Sequence, residues 1–595
     1  MPEDRYPEVR RMTDLERSLS AIRKGDKVEG CKLLTEWIKV HPEHAEAHDL
    51  LGRTLASLDR TPDAIEALLA GVAANADYGP LRFSLGTLLV GAGRCQEALL
   101  QLQVAVSLEP TRADAWGNLS AAARTLGQLS LAESAGRRAT KVDPGFAQGW
   151  INLGNALMDQ AKLDQALPAF AQVPTSDPNC KLAMGNSLLG RCYIESKPEG
   201  LANAHREYGA MMASAFPERP FAERARNAKI RIGYVSGDFR LHSVIYFFGS
   251  LLNSHDRSRF DVYLYSDVET PDSTTARVEQ AATHFANCRN LSDEELWAKI
   301  RADNIDVLVD LGAHTGRRLS VFALRAAPTQ VTWLGYPFTT GLSTMDFRIT
   351  DAIADPPDSD EHYSERLLRL NGPFLCYQPP ASAPAVTPAP ILKNGYLTFG
   401  SFNHLAKLSE EALVLFSAIL HECPGSKLVL KCKSFCDMST AKATIDRFMQ
   451  YDISPQRLIM KGRIGDPIQH LAAYADVDVA LDPFPYNGTT TTLEALWMGV
   501  PVLTMRGHLH ATRVGASLMS HLGLTTLVAE NPDSLLILAR ELSKQPETFV
   551  ELRQVLRQLL LKSPLCDQKR FARDFEDALM TAMQLRSSLS HAAAT

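Results

Sequence analysis

Small residues and proline recur every 34 residues along the first third of the chain, between stretches with one apolar face. The proline column holds Pro42, Pro110, Pro144 and Pro178, with Ala76 at the remaining grid point. An alanine column and a glycine column keep the same spacing; they comprise Ala64, Ala98, Ala132 and Ala166, and Gly52, Gly86 and Gly154, with Ser120 filling the gap. Three columns in phase indicate an array of one repeated structural unit.

Each repeat is predicted to be a pair of helices whose apolar face cannot be buried within the pair. The small residues mark close approaches between helices, and the proline ends the second helix. Period and residue types match the tetratricopeptide pattern. We therefore predict an α-solenoid over 43–178, with a helical cap at 1–42 and a helical linker or degenerate repeat at 179–228. The repeats are expected at 43–76, 77–110, 111–144 and 145–178.

From residue 229 the pattern changes to short apolar runs separated by helical stretches. The first series of predicted strands is 230–236, 260–266, 305–311, 329–335 and 347–350. The second series is 396–401, 427–432, 457–462, 477–482 and 501–505. A proline-rich segment at 381–395 separates them and can hold neither a helix nor a central strand. This alternation predicts two parallel, doubly wound lobes at 229–380 and 396–585, with a tail at 586–595.

Two doubly wound lobes place a crevice between the carboxyl ends of their strands. Nucleotide-sugar transferases of the GT-B type are built in this way, which is an analogy of fold and not of function. The predicted fold class is therefore an α-solenoid of tetratricopeptide repeats followed by an α/β GT-B fold with two Rossmann-like lobes.

Composition narrows the functional classes. The net charge of −6 over 595 residues gives no basic field, which disfavours nucleic acid as a partner. Ten cysteines are too few for a disulfide scaffold. No apolar run reaches the roughly 18 residues of a membrane span, and the first residues lack a signal-peptide pattern. We expect a cytoplasmic protein with no membrane partner.

The segment 481–504 carries the strongest candidate chemistry. After a strand and a turn at Gly488, four threonines, Thr489 to Thr492, open a helix. The free N–H groups and the dipole of a helix N-terminus bind anions, and threonine hydroxyls add donors, so the segment can hold a diphosphate without a metal. Glu494 can accept hydrogen bonds from ribose hydroxyls. The alternative is an ordinary threonine N-cap with Glu494 facing the helix dipole.

Further candidates lie at other predicted strand ends. Lys407 and His404 follow the strand at 396–401, where Lys407 can neutralise charge on a departing diphosphate. His242 follows the first strand and can bind the acceptor or act as a base. His314 ends another strand, and both His314 and His404 are candidate contacts to the nucleotide sugar. His470 can touch the nucleotide base. Asp476, Asp478 and Asp482 admit a metal-binding interpretation that we do not favour; no metal is expected.

Asn118 and Asn152 lie one repeat apart in the predicted solenoid. An asparagine amide can clasp a peptide backbone through its donor and its acceptor. The pair is therefore a candidate acceptor-peptide ladder, with solvated or capping asparagines as the alternative.

Four segments together resemble glycosyltransferase family 41: YVSGDFRLH, VFALRAAPTQVTWLGYPFTTG, FGSFNHLAK and PYNGTTTTLEALWMGVP. This family includes protein O-GlcNAc transferase and the plant Spindly protein O-fucosyltransferase. The resemblance covers nearly the whole chain. It implies an inverting, metal-independent GT-B enzyme that glycosylates serine or threonine of proteins from a nucleotide sugar.

The resemblance also implies individual roles. Lys407 matches the diphosphate lysine, Thr490 and Thr491 match the phosphate-binding threonines, and His470 matches the histidine near the base. His242 matches the active-site histidine, and Asp303 aligns with an acid proposed for proton transfer.

The chain departs from the O-GlcNAc transferase pattern at Thr489, Glu494, His404 and Phe338, and several segments are closer to the Spindly-like branch. UDP-GlcNAc and GDP-fucose both stay open as donors.

The alternatives are a flagellin glycosyltransferase that uses another activated sugar, a tetratricopeptide scaffold with an inactive transferase lobe, and a small-molecule GT-B enzyme. The expected partners are acceptor proteins held in the solenoid groove, with flagellin one option and a homodimer another. The sequence leaves the general base open among His242, Asp303 and the departing phosphate.

Overall fold

The computed structural model describes residues 7–221 and 228–594. The chain forms two compact units. The first comprises the chain up to Leu157 together with Pro168–Asn179, and the second comprises Met158–Leu167 together with the chain from Cys180 onward.

The repeat region consists of helices that follow one another in pairs. The helices are α1 (Pro7–Arg23), α2 (Lys27–Val40), α3 (Ala45–Ala56), α4 (Thr61–Ala74), α5 (Gly79–Gly91), α6 (Cys95–Leu108), α7 (Ala113–Leu126), α8 (Leu129–Val142), α9 (Ala147–Asp159) and α10 (Leu163–Ala171). One pair, from α3–α4 to α9–α10, falls within each predicted repeat. The predicted tetratricopeptide solenoid is confirmed.

The glycine column fits because the paired helices touch there. A Cβ on Gly52 would lie 2.4 Å from Leu68 Cγ, and one on Gly86 would lie 2.6 Å from Leu102 Cγ. The alanine column is fully enclosed in the same unit; Ala64, Ala98 and Ala132 are each 0% exposed. A larger residue in either column would force the helices apart.

After Met158–Leu167, the second unit continues with two helices that pack against the loops of its first sheet. These are α11 (Cys180–Cys192) and α12 (Pro198–Ala215). A Cβ on Gly209 of α12 would lie 1.8 Å from the carbonyl oxygen of Gly341, so the two backbones touch. The segment predicted as a linker or degenerate repeat is thus built into the second unit.

The first sheet has seven parallel strands in the order β3-β2-β1-β4-β5-β6-β7. The strands are β1 (Ile230–Ser236), β2 (Phe260–Ser266), β3 (His284–Asn287), β4 (Val307–Asp310), β5 (Thr329–Thr332), β6 (Phe347–Asp351) and β7 (Arg366–Leu370). Its helices are α13 (Ile245–Ser254), α14 (Ser273–Ala281), α15 (Asp293–Ala302) and α16 (Leu319–Ala323). The chain reverses direction across the sheet between β1 and β4, which is where doubly wound folds bind ligands.

The second sheet has six parallel strands in the order β10-β9-β8-β11-β12-β13. The strands are β8 (Thr398–Ser401), β9 (Lys427–Lys431), β10 (Leu458–Lys461), β11 (Val479–Leu481), β12 (Val502–Met505) and β13 (Val528–Ala529). The helices of this lobe are α17 (Ile391–Asn394), α18 (Glu410–Glu422), α19 (Met438–Met449), α20 (Pro467–Ala472), α21 (Thr490–Trp497), α22 (Val514–His521), α23 (Pro532–Lys544) and α24 (Pro546–Lys562); the chain ends with α25 (Gln568–Ala594). Its reversal point lies between β8 and β11. The predicted pair of Rossmann-like lobes is confirmed.

The last helix, α25, returns to the first lobe. Phe571, Phe575 and Leu579 are buried in the core that contains Val309 and Trp333 of the first sheet. The predicted domain bounds place this helix in the second lobe and the tail. Alternating strands and helices do not reveal such a return, because only packing shows which sheet a terminal helix covers. Among the residues the structure describes, no helix combines the length and apolarity that crossing a bilayer requires.

Candidate active site

Helix α21 begins at the carboxyl edge of the second sheet, directly after the turn that follows β11. Thr489, Thr490 and Thr491 are half-buried at its first turn. Thr489 stands at the N-cap position, but its hydroxyl makes no capping hydrogen bond. Ordinary threonine capping therefore does not account for this run, and the helix N-terminus is available to an anion.

Gly488 allows the turn to close tightly against the helix. Its N–H donates to Asp482 Oδ1 at 2.6 Å. A Cβ at this position would lie 2.5 Å from Thr491 Oγ1. Thr491 Oγ1 in turn donates to Asn403 Oδ1, at 2.9 Å, in the loop after β8. The two loops at the reversal point of the sheet are thereby bonded to each other.

Lys407 reaches the same turn from the β8 side. Its ammonium donates to the carbonyl of Asn487 at 2.7 Å and lies 4.1 Å from the ring centroid of Tyr486. Burial lowers the pKa of Lys407, and the nearby Asp482 partly offsets that effect. Burial also raises the pKa of Asp482. A buried ammonium close to a helix N-terminus can stabilise the negative charge of a diphosphate.

His470 is held from both sides of its ring. Its Nε2 lies 3.0 Å from Glu494 Oε2, and Lys431 Nζ contacts its Nδ1. Since an ammonium can only donate, Nδ1 is the acceptor and the ring proton lies on Nε2, which donates to Glu494. Burial lowers the pKa of Lys431, and Glu494 counteracts this. With both nitrogens occupied, the partly exposed His470 ring has only its faces and carbon edges left for contact with a ligand.

Two aromatic side chains lie beside the corner formed by the first turn of α21, Lys407, His470 and Glu494. The rings of Phe402 and Tyr474 lie 4.3 Å apart, and the Tyr474 hydroxyl donates to the Thr491 carbonyl at 3.1 Å. Tyr474 therefore ties the aromatic wall to the first turn of α21. Both rings are buried in the core of the second lobe, so they support the first turn of α21 from the protein side.

His404 lies at the entrance to this corner. Its imidazole is half exposed, lies 3.5 Å from Asp159 through Nε2, and stacks on Tyr193 with centroids 6.3 Å apart. Tyr193 also contacts Tyr486, whose ring lies under Lys407. Tyr193, the residue that follows α11, therefore supports the lysine through an aromatic contact.

His242 lies on the loop after β1, at the carboxyl edge of the first sheet. Its Nδ1 is 3.5 Å from Asp238 Oδ1. Burial lowers the pKa of His242, while Asp238 acts in the opposite direction. A lowered pKa keeps the imidazole neutral near pH 7, which is the form that can accept a proton.

Asp303 does not reach this edge. It follows α15 and precedes β4, so it lies at the amino edge of the first sheet. It accepts a hydrogen bond from the Tyr265 hydroxyl at 2.8 Å and pairs with Lys299 at 3.2 Å. The catalytic role implied by the family resemblance is not supported, because the carboxylate is at the opposite end of the strands from His242.

His314 is enclosed rather than open to the crevice. Its Nε2 donates to the Thr340 carbonyl at 3.0 Å, and its ring packs against Tyr208 and Tyr336. Burial lowers its pKa well below the usual range. The structure therefore gives His314 a packing role, contrary to the predicted contact with the nucleotide sugar.

The two asparagines of the predicted ladder make hydrogen bonds within the solenoid. Asn152 is buried, donates from Nδ2 to the Gly117 carbonyl at 2.8 Å, and accepts from Gln148 at 2.9 Å. Asn118 donates to Thr87 Oγ1 at 2.8 Å and stays half exposed. One donor and one acceptor position of the Asn152 amide are engaged within the solenoid, and the peptide contact stays a prediction for both asparagines.

Several residues of the site were not predicted. Tyr486 and Asn487 belong to the PYNGTTTT segment, whose threonines were the predicted phosphate ligands. These two residues position Lys407. Lys431 is the next-to-last residue of the predicted strand 427–432, where a charged residue near the end of a buried strand was the available signal. Asp482, which we considered only as a weak metal candidate, anchors the Gly488 turn. In the described part of the chain, no three His, Cys, Asp or Glu side chains converge as a metal site would require.

The fold and the corner around α21 define the class of this protein: a tetratricopeptide solenoid followed by a GT-B body. The chain belongs to glycosyl transferase family 41, whose family model matches residues 210–377 and 390–575. A tetratricopeptide model matches 15–80, 83–147 and 123–180.

The relatives are plant and bacterial proteins. The chain is 41% identical over 408 residues to the probable UDP-N-acetylglucosamine–peptide N-acetylglucosaminyltransferase SPINDLY of Solanum lycopersicum, covering 67% of this chain and 44% of that protein. The corresponding protein SEC of Arabidopsis thaliana is 27% identical, with 72% and 44% covered. The chain thus spans less than half the length of these relatives. A solved structure of an O-GlcNAc transferase variant from Thermobaculum terrenum superposes with a TM-score of 0.80 at 31% identity, over 89% of this chain and 99% of that one.

Proposed function

We propose that this protein transfers a sugar from a nucleotide sugar to serine or threonine hydroxyls of other proteins, with inversion at the anomeric carbon. The observation that carries the proposal is the convergence of the Lys407 ammonium and the first turn of α21 on one turn of the second lobe. Both groups favour a negative charge that grows as the sugar departs.

The corner around α21, which we call the donor corner, has three parts, each with its own proposed ligand group. The first turn of α21 and Lys407 are suited to the diphosphate. Glu494, already hydrogen-bonded to His470, lies next to them and can turn toward a ribose. The partly exposed His470 ring is proposed to supply a face for a base. This division assigns charge neutralisation to Lys407 and the helix, so the proposed reaction needs no metal.

In the proposed step, the acceptor hydroxyl attacks the anomeric carbon from the face opposite the diphosphate. A carbon–oxygen bond forms as the bond to the diphosphate breaks, and the hydroxyl proton passes to a base. The neutral imidazole of His242 is one candidate base, and the departing phosphate is the other. Binding both substrates in line supplies much of the rate enhancement by removing the entropy cost of their encounter.

The donor is proposed to be UDP-GlcNAc or GDP-fucose. The names of the plant and bacterial relatives support a GlcNAc donor, whereas Thr489 and Glu494 are the departures that keep GDP-fucose open. We further propose that the solenoid selects the acceptor protein, with flagellin one option. The enzyme is also proposed to act in the cytoplasm, a reducing compartment in which ten free cysteines are expected. A homodimer is a further proposal, which the mass of the protein in solution would test.

The test is transfer of radiolabelled GlcNAc and fucose from their nucleotide donors to proteins of a cell extract. Label that enters protein and is released as sugar by alkaline β-elimination would support an O-linkage to serine or threonine. Label that appears only in free sugar or small glycans, with the enzyme binding its nucleotide normally, would contradict a protein acceptor.

A further inference from the structure

A cavity of about 480 Å³ lies at the carboxyl edge of the first sheet, apart from the donor corner. Its walls are the loops after β1, β2, β3 and β4. It therefore occupies the reversal point of this sheet, where doubly wound lobes bind their own ligands. The donor corner uses the equivalent point of the other sheet, so the first lobe has a separate place for a ligand.

The floor of the cavity is formed by carboxylate and guanidinium side chains, most of which are buried. Asp310 accepts from the N–H groups of Gly312 and Ala313 at 3.1 and 2.8 Å. Arg318 donates to Asp267 and to Asp293, both at 2.9 Å. Asp310, Asp267 and Arg318 are buried, and their hydrogen bonds connect the loops that form the cavity.

The rim carries arginines with unused donors. The Arg317 side chain is 51% exposed and holds Asp267 through two of its five N–H groups, each at 3.1 Å. The Arg240 side chain is 41% exposed, and within the described residues its one hydrogen bond is a long contact of 3.5 Å to Asp238. Both guanidinium groups can therefore donate to a ligand without losing their positions.

A third arginine is held by a replaceable carboxylate. Arg289 donates to Glu269 at 2.6 Å, and the Glu269 side chain is 66% exposed. A solvated glutamate contributes little net stability to such a pair. A carboxylate that enters the cavity can take its place at Arg289 without leaving a buried charge behind.

The cavity also adjoins the candidate base. Asp238 lines its wall, and the same Oδ1 atom lies 3.5 Å from Arg240 and 3.5 Å from His242. A ligand group in the cavity is therefore one side chain away from the place where the acceptor hydroxyl would lose its proton.

We infer that this cavity binds the carboxylate of an aspartate or glutamate that flanks the acceptor hydroxyl. The inference rests on the proposed function, since it takes the acceptor to be a polypeptide. Guanidinium groups bind carboxylates through paired, charge-assisted hydrogen bonds, which gives both affinity and orientation. An acidic neighbour anchored by Arg240 and Arg317 would hold the serine or threonine beside His242.

The test compares two blocked pentapeptides in which serine is flanked by aspartates or by asparagines. Their binding to the full chain is measured by ligand-observed NMR with UDP and then GDP present. Since a hydrogen bond to a charged group contributes about 1.5–3 kcal/mol, we expect the acidic peptide to bind about tenfold to hundredfold more tightly. Arg317→Gln and Arg240→Gln should each reduce that preference. Arg240→Gln guards against a folding defect, because Arg240 makes only a long contact.

The matched control is Arg540→Gln, whose side chain is 43% exposed and pairs with Glu422 at 3.4 Å in the second lobe. It should keep the full preference. Equal binding of the two peptides would overturn the inference, as would a preference unchanged in both cavity variants. Succinate that binds as tightly as the acidic peptide would also overturn it, since the site would then serve a free carboxylate. Nucleotide binding in the same samples is a separate readout: its absence would count against the proposed function, whereas its presence with no acidic preference would count against this inference alone.

Discussion

Replacing Lys407 with alanine removes the buried cation closest to the proposed diphosphate. The variant loses the hydrogen bond to the Asn487 carbonyl and the contact with the Tyr486 ring. Asp482 keeps its bonds from Gly488 and from Thr504, at 2.6 and 2.8 Å. We therefore expect the turn to persist and the loss to fall on the chemistry.

The magnitude follows from the position of the ammonium. It lies in a half-buried turn, where a charge interacts more strongly than in water. Removing one preorganised group that stabilises a developing negative charge typically costs about 2.7–4 kcal/mol, or about 10²–10³ in kcat. Lys407→Ala should lower turnover by that amount and weaken nucleoside diphosphate binding, with little change in Tm.

The assay is single-turnover transfer, with donor binding by calorimetry and Tm by scanning calorimetry. The matched control is Lys427→Ala, because Lys427 also lies over an aromatic ring, 4.5 Å from the centroid of Tyr396, at the amino end of β9. Lys427→Ala should retain activity. A loss of less than about fivefold in Lys407→Ala, well below the range above, would refute the reasoning, as would equal losses in both variants.

Three further predictions follow from the described contacts. Burial lowers the pKa of Lys407, and a bound diphosphate favours its protonated form. Donor affinity should therefore fall as pH rises through that lowered pKa, and Lys407→Arg should remove the fall; an affinity that is already flat with pH contradicts this. Glu494→Ala releases His470 Nε2 and should weaken nucleotide binding about tenfold or more, since a hydrogen bond to a charged group contributes about 1.5–3 kcal/mol; an unchanged Kd would oppose this role. Asn152→Ala removes the side-chain donor to the Gly117 carbonyl, which keeps its helical partner within α7, and should destabilise the protein by about 0.5–1.5 kcal/mol in chemical denaturation; weaker acceptor binding at unchanged stability would instead support the peptide ladder.

The repeat array and the central strands were predictable because their signals are local. A proline, alanine or glycine column records helix contacts that recur at one spacing, as the close approach of Gly52 to Leu68 shows. Central strands appear as apolar runs because both of their faces are covered. The three unpredicted strands, β3, β7 and β13, all lie at sheet edges, where this requirement is relaxed and short, polar sequences such as HFAN suffice.

The residues of the candidate site also fall into two groups: those with a local sequence signal and those that only the three-dimensional contacts reveal. Lys407 and the threonines of α21 lie where the strand ends predicted them, since the carboxyl ends of parallel strands share one edge. Asp303 precedes its strand, so strand direction alone argued against the role that the resemblance implied. His314 follows a strand, but the packing of α12 over it depends on contacts distant in sequence. The Lys431–His470–Glu494 arrangement joins three separate segments and was visible only in three dimensions.

The central claim is that the corner around Lys407 and α21 binds a nucleoside diphosphate sugar. The most direct measurement is calorimetric titration of the purified chain with UDP, GDP, UDP-GlcNAc and GDP-fucose, beside Lys407→Ala and Lys427→Ala. The account predicts one-to-one binding of one nucleotide family, lost in Lys407→Ala and retained in Lys427→Ala. Failure of all four ligands to bind, or binding that Lys407→Ala leaves unchanged, would contradict it.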